Sequence, residues 1–275
     1  MRRLVRRALA ILALVVCASA AAPSSAPSQT REHVDLLLVL AADVSRSVDG
    51  PKFKLQREGY AAAIAYRRVL DAIRSGPSGQ IAVLFMEWSG QHEQRVVIDW
   101  SLVKDERTAR QIGDLLLELP RSFAQRTSIS GAIDFAAEQF VHAPFESGRH
   151  TIDVSGDGTN NSGRDVQAAR DAAVAQGITI NGLVILSEQP LPWNPSHTHP
   201  EGGLTQYYRD NVIGGPGAFA IEAQSFEAFG KALTNKMVAE IAGITPQEAL
   251  RRTTSRELNM LPDHSAAGIA GPTSR

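Results

Sequence analysis

The chain has 275 residues, enough for one large domain or two small ones. With 43% hydrophobic and 21% charged residues it has the composition of a globular protein, and a formal net charge of −1 leaves no basic footprint for nucleic acid. Its one cysteine, Cys17, excludes an intramolecular disulfide, so the fold must be held by its core.

The first residues, MRRLVRRALAILALVVCASAAAP, run from four arginines through an apolar core (Ala8 to Val16) to small residues. That is the layout of a secretory signal peptide, and the apolar stretch is too short for a comfortable permanent span. Ala18-Ser19-Ala20 fits a small-x-small cleavage rule, with cuts expected after Ala20 or Ala22; an uncleaved anchor is the alternative. Val16 stands where a lipoprotein signal wants a small residue before its cysteine, which argues against lipidation. Removing residues 1–22 takes the charge from −1 to −5, a further argument against nucleic acid or anionic lipid as a partner. The expected destination is the periplasm or the cell exterior, with no stable membrane anchor after cleavage. Residues 23–32, with PSSAPSQ, read as a disordered linker, 33–243 as one folded domain and 244–275 as a largely disordered tail.

Val34 to Ala42 is apolar on both faces apart from Asp35, as a central strand of a parallel sheet requires. Lys52 to Ile73 reads as one long amphipathic helix, with Pro51 near its start. Gln80 to Trp88 is a second buried strand, and a short turn leads to a third, Arg95 to Trp100, which the hairpin makes antiparallel. Helices follow over Asp105–Leu119 and Ser128–Val141, then a strand over Thr151–Ser155. A helix over Gly163–Gln176 is expected to start at Ser162 with Asp165 closing a capping box, and Gly177 stops it. Ile178–Leu186 is a fifth strand, 187–217 a long loop with a helical piece at Leu204–Asn211, Ala218–Glu222 a sixth strand, and Ser225–Ile241 the last long helix. A short helix near Pro246–Arg252 is allowed by the pattern. Strands alternating with helices imply an α/β doubly wound, mostly parallel sheet covered on both faces, with its ligand site beyond the carboxyl ends of the strands.

Asp43-x-Ser45-x-Ser47 leaves the first strand at that end. Such a loop can hold a hard cation, grip a phosphate or cap a helix. Arg126-Thr127-Ser128 opens a helix and Ser155-Gly156-Asp157-Gly158 follows the fourth strand. If the first and fourth strands are neighbours, Asp43, Ser45, Ser47, Thr127 and Asp157 converge. All five offer oxygen and none nitrogen or sulfur, which selects Mg²⁺, with Mn²⁺ or Ca²⁺ as alternatives, and rejects zinc. Two carboxylates balance the ion's charge, and hydroxyls alone leave its shell incomplete. Water or a carboxylate from another molecule must fill it.

In this order and in these positions the residues resemble the metal-ion-dependent adhesion site (MIDAS) of von Willebrand factor type A (vWA) domains, over Val34 to about Ile241. DVSRSVD, EWSG and SGDGTNNSG further resemble a bacterial family of exported proteins of unknown function related to that domain. The resemblance implies a Rossmann-like sheet of order 3-2-1-4-5-6 with an antiparallel edge strand. It implies Asp43, Ser45 and Ser47 as first-loop ligands, Thr127 as the second-loop ligand and Asp157 as the third-loop acid. Val44 and Arg126 stand where relatives often carry glycine; neither change removes a ligand. The function implied is an exported binding module whose cation engages an acidic residue of a protein partner. A metal-dependent hydrolase and a metal-free structural domain are the alternatives.

Of the remaining candidates, Trp88 is either an exposed partner anchor or a ring packed under the hairpin. Tyr207 and Tyr208 either pack the long loop or read a ligand, and Arg126 places a cation beside the site. Asp153 is expected to bond loop amides, and His197-Thr198-His199 to be solvated in a loop overhanging the metal rim. No G-x-S-x-G elbow or G-x-x-x-x-G-K-[ST] cradle is present, so no enzyme is expected.

Overall fold

The structure, a computed structural model, describes residues 31–123 and 125–251. The expected signal peptide, most of the expected linker and the end of the expected tail lie outside the described residues. In chain order the elements are β1 (Glu32–His33), β2 (Leu37–Asp43), α1 (Gly50–Ile64), α2 (Arg67–Arg74), β3 (Ile81–Trp88), β4 (Gln94–Val103), α3 (Glu106–Glu118) and α4 (Ile129–Val141). There follow β5 (Phe145–Glu146), β6 (His150–Gly156), α5 (Val166–Val174), β7 (Ile178–Ile185), α6 (Pro195–Thr198), α7 (Leu204–Asn211), β8 (Ala220–Ala223) and α8 (Phe229–Ala242). Residues 246–251 are also helical.

Among the described residues the main sheet has six strands in the order β4-β3-β2-β6-β7-β8, with the β3–β4 pair alone antiparallel. This is the expected 3-2-1-4-5-6 order. β2 lies in the middle with all seven residues buried, and successive side chains enter opposite cores. Leu38, Leu40 and Ala42 join the layer under α1, α2, α3 and α8; Leu37, Val39 and Ala41 join the layer under α4, α5 and α7. Asp43 ends β2 where the chain crosses to β3 on one side and β6 lies on the other, the switch point of the sheet.

Four local expectations need correction. The helix expected over 52–73 breaks at Ala65-Tyr66, where Tyr66 is extended at φ −70°, ψ 136°. At about 100° per residue, one continuous helix would carry Val69 and Ile73 about 180° and 220° round from Tyr60, to the solvent side. The break returns Val69, Leu70 and Ile73 to the core. α5 begins later than expected, because Asp165 is itself its cap, accepting from Ala168 N at 2.8 Å. A small parallel sheet of β1 and β5, outside the expected pattern, ties the start of the domain to the turn before β6. Finally, Asp153 bonds no loop amide: buried in β6, it pairs with Lys236 Nζ of α8 at 2.7 Å. Lys236 also pairs with Glu240, which accepts from Asn181 Nδ2 at 2.9 Å.

Candidate metal centre

The loop after β2 is fixed by its own backbone demands. Val44 N donates to Trp88 O at 2.9 Å, continuing the β2–β3 ladder one residue past the strand. Asp43 Oδ1 then accepts from Ser45 N at 2.7 Å, which turns the chain back on itself. From α1, Gln56 Nε2 donates to Asp43 O at 3.1 Å, and Arg121 donates to the carbonyls of Val44 and Ser45. So held, Ser45 Oγ and Ser47 Oγ stand 3.2 Å apart, and Ser47 Oγ donates to Asp157 Oδ1 at 2.6 Å.

Asp157 follows β6, the neighbour of β2. Gly156 permits this approach: a Cβ there would lie 3.2 Å from Asp43 Oδ2 and 2.6 Å from the Tyr208 hydroxyl. Thr127 arrives from the segment before α4. That segment is anchored at Ser122 N, which donates at 2.8 Å to Glu87, itself in a buried ion pair with Arg57. Thr127 N donates to Asn161 Oδ1 at 3.0 Å and Asn161 N to Thr127 O at 2.9 Å, so the second and third loops are locked together. The structure thus brings Asp43, Ser45, Ser47 and Asp157 into direct contact or close electrostatic coupling. It attaches Thr127 to the same loop as Asp157.

Asp43 and Asp157 are fully buried, and Oδ2 of each has no hydrogen-bond partner among the described residues. Burial, and then the charge of Asp157, raise the Asp43 pKa to about 8. Asp157 is raised as well, by burial against the opposing pull of Ser47, Lys52 and His197. Lys52 Nζ comes within 3.9 Å of Asp157 Oδ2, but its bond goes to Ser47 O at 2.9 Å. Two buried carboxylates close enough to feel each other's charge, each with an unbonded oxygen, are costly unless something positive meets them. Among the described residues no group of three or more His, Cys, Asp and Glu gathers, so a cation here would rely on the hydroxyls to fill its shell. The donors around the two acids therefore fit an oxygen-bound divalent ion.

The family described as Protein of unknown function (DUF1194) matches residues 33–245. The chain belongs to the DUF1194 family. No protein with a curated description matches it. Among solved structures it is similar to proximal thread matrix protein 1 from the mussel byssus, described with a zinc-occupied MIDAS motif. That likeness has TM-score 0.53 at 13% identity and covers 77% of this chain and 49% of the mussel chain. The pilus adhesin SpaC from Lactobacillus rhamnosus GG is similar at TM-score 0.54 and 13% identity, over 78% of this chain and 31% of SpaC. A weaker match, at TM-score 0.49 and 15% identity over 77% of this chain and 43% of the other, is a von Willebrand factor type A domain from Catenulispora acidiphila. The DUF1194 chain therefore spans about half the mussel protein and less than a third of the adhesin. Its topology and its likeness to the mussel protein and SpaC give it a vWA-type fold.

The rim of the DUF1194 site differs from the sequence expectation. Trp88 is fully buried in the layer under α4, among Ile129, Ala132 and Ile133, so its ring is not exposed to a partner. Tyr208 is also fully buried; it forms the floor of the site, its hydroxyl unpartnered and close to Gly156. Tyr207 is half-buried and its hydroxyl accepts from Asn160 N at 3.1 Å, so it packs α7 onto the third loop. Arg126 is exposed as expected. An exposed aromatic next to the first loop is Trp193, 66% accessible, with the Arg46 guanidinium 5.8 Å from its ring centre. His197 is not solvated: it is 4% exposed, and Nε2 lies 3.2 Å from Thr127 Oγ1. This is the nitrogen the donor inventory from sequence lacked. The available signal was the position of its loop, which follows β7 and must hang over the same rim.

Proposed function

We propose that this chain is an exported binding module that holds a divalent cation, Mg²⁺ in the first instance, between Asp43, Ser45, Ser47, Thr127 and Asp157, and uses it to engage a carboxylate of a protein partner. The observation that carries this reading is the pair of buried carboxylates, Asp43 and Asp157, each with one oxygen that has no hydrogen-bond partner among the described residues, beside the linked hydroxyls of Ser45 and Ser47. Two carboxylates match the charge of one divalent ion, and neutral hydroxyls add none. Such an ion keeps its affinity for an incoming acid. Arg46 and Arg126, both exposed beside the site, add a field that draws an acidic segment, and Trp193 offers the apolar contact such a segment would bury. SpaC, a protein of like fold, is a pilus adhesin. Export rests on the N-terminal arginine, apolar and small-residue order. Among the described residues no helix is long and apolar enough to cross a membrane.

Calorimetric titration of the purified protein with Mg²⁺ and Mn²⁺ tests the site. Heat with the wild type and none with Asp43→Ala is expected; equal heat from both places the ion elsewhere. Crosslinked complexes from the native cell should vanish in chelator and in Ser45→Ala/Ser47→Ala. Metal-dependent turnover of a phosphoester or peptide, lost in Asp157→Ala, would replace binding by hydrolysis.

A further inference from the structure

We infer that Asn161 and His197 form a relay that orients the Thr127 hydroxyl toward the cation, making His197 a positioning residue of the centre rather than one of its ligands. The inference rests on the metal-site reading above. The deduction starts at Asn161, whose Oδ1 is committed to Thr127 N at 3.0 Å. Its NH₂ end therefore faces the imidazole, with Nδ2 3.4 Å from His197 Nδ1. An amide nitrogen can only donate, so Nδ1 accepts. The Thr159 hydroxyl, 3.2 Å from the same nitrogen, can donate to it as well. An imidazole whose Nδ1 accepts has no proton there, so its one proton sits on Nε2. Nε2–H then donates to Thr127 Oγ1 at 3.2 Å. A protonated Nε2 has no lone pair for a metal. Its bond occupies one acceptor site on Oγ1 and fixes the direction of the other.

The surrounding backbone is built for this ring. Thr159 N donates to His197 O at 2.9 Å, fastening the loop to the third metal loop. The imidazole lies against the α-carbon of Gly158, where a Cβ would sit 2.1 Å from Nε2. Gly158, next to Asp157, is thus the residue that lets His197 reach Thr127. Outer partners that orient ligands this way commonly affect metal affinity by about 10–100-fold.

Two measurements test the relay. In the metal-free protein, imidazole ¹⁵N shifts should show the Nε2–H tautomer. Asn161→Asp, which keeps an oxygen for Thr127 N but turns the donor into an acceptor, should switch the ring to Nδ1–H. An Nδ1–H wild type, or a tautomer indifferent to Asn161→Asp, overturns the relay. By calorimetry, His197→Ala and Gly158→Ala should each weaken Mg²⁺ binding by about 10-fold or more. His197→Gln, whose amide can still donate to Thr127, should recover most of that loss. Unchanged affinity in His197→Ala, or no recovery in His197→Gln, refutes the positioning role. Imidazole nitrogen coupling in the spin-echo spectrum of the Mn²⁺-loaded protein would make His197 a ligand and overturn the inference. A wild type that binds no divalent ion sinks the metal-site reading itself, and with it the purpose of the relay, while the tautomer result still reports whether the hydrogen bonds exist.

Discussion

Asp43→Asn separates the cost of the site from its use. Asn keeps an oxygen for Ser45 N and removes one of two buried negative charges. In the wild type the folded-state pKa of Asp43 is raised from 3.8 to about 8. A raised carboxyl pKa contributes stability that is present below about 4 and lost as pH climbs to about 8, because the folded state holds its proton longer. At about 1.4 kcal/mol per pH unit, ionising Asp43 in the folded protein without a bound cation costs on the order of 5 kcal/mol. An ion at about 100 times its dissociation constant returns about 2.7 kcal/mol, or about 5–10 °C in melting temperature for a domain of this size. In EDTA at pH 8, Asp43→Asn should therefore melt above the wild type, with the gap closing toward pH 4. With Mg²⁺ the wild type should rise and the variant should not. Thermal unfolding across pH, with and without the ion, measures all of this. A variant that melts below the wild type in EDTA at pH 8, or that gains as much from Mg²⁺, refutes the account of two strained carboxylates awaiting a cation.

Other consequences follow from the same physics. Lys236→Met strands Asp153 and Glu240 in the core and should cost about 3–5 kcal/mol in denaturant unfolding. Burial raises the Glu240 pKa to about 7, and a protonated pair needs no counter-charge, so that loss should be larger at pH 8 than at pH 5. Gly156→Ala drives a Cβ against the Tyr208 hydroxyl and Asp43, and should cost about 1–3 kcal/mol and weaken calorimetric Mg²⁺ binding. Trp88→Ala should destabilise by about 3–5 kcal/mol. Trp193→Ala should leave stability within about 0.5 kcal/mol and reduce only the yield of crosslinked partner. Equal effects of the two tryptophan changes on stability would contradict their opposite burial.

The sheet could be read from sequence because each central strand must be apolar on both faces, and only a parallel, doubly covered sheet asks for that. The first and third loops were legible for a related reason. Asp43 and Asp157 sit at the ends of apolar strands, where a buried carboxylate needs a purpose. What failed was whatever depends on coverage by a distant segment. Trp88 and Tyr208 are aromatic residues whose exposure is decided by loops folding over them. His197 reaches a threonine 70 residues away through a loop without periodic pattern. The break at Tyr66 was legible in principle, since the apolar residues after it fall on the wrong side of a continuous helix.

β4 forms one margin of the main sheet, ten residues long and, among the described residues, paired on one side alone. A straight margin of that length invites a stranger to add a strand. Here the β3–β4 register shifts on either side of Phe85, and Arg95 and Asp99 project outward along the margin. Kinks and outward charges of this kind spoil a template for cross-chain pairing. A flank guarded in this way is closed to strand addition along β4.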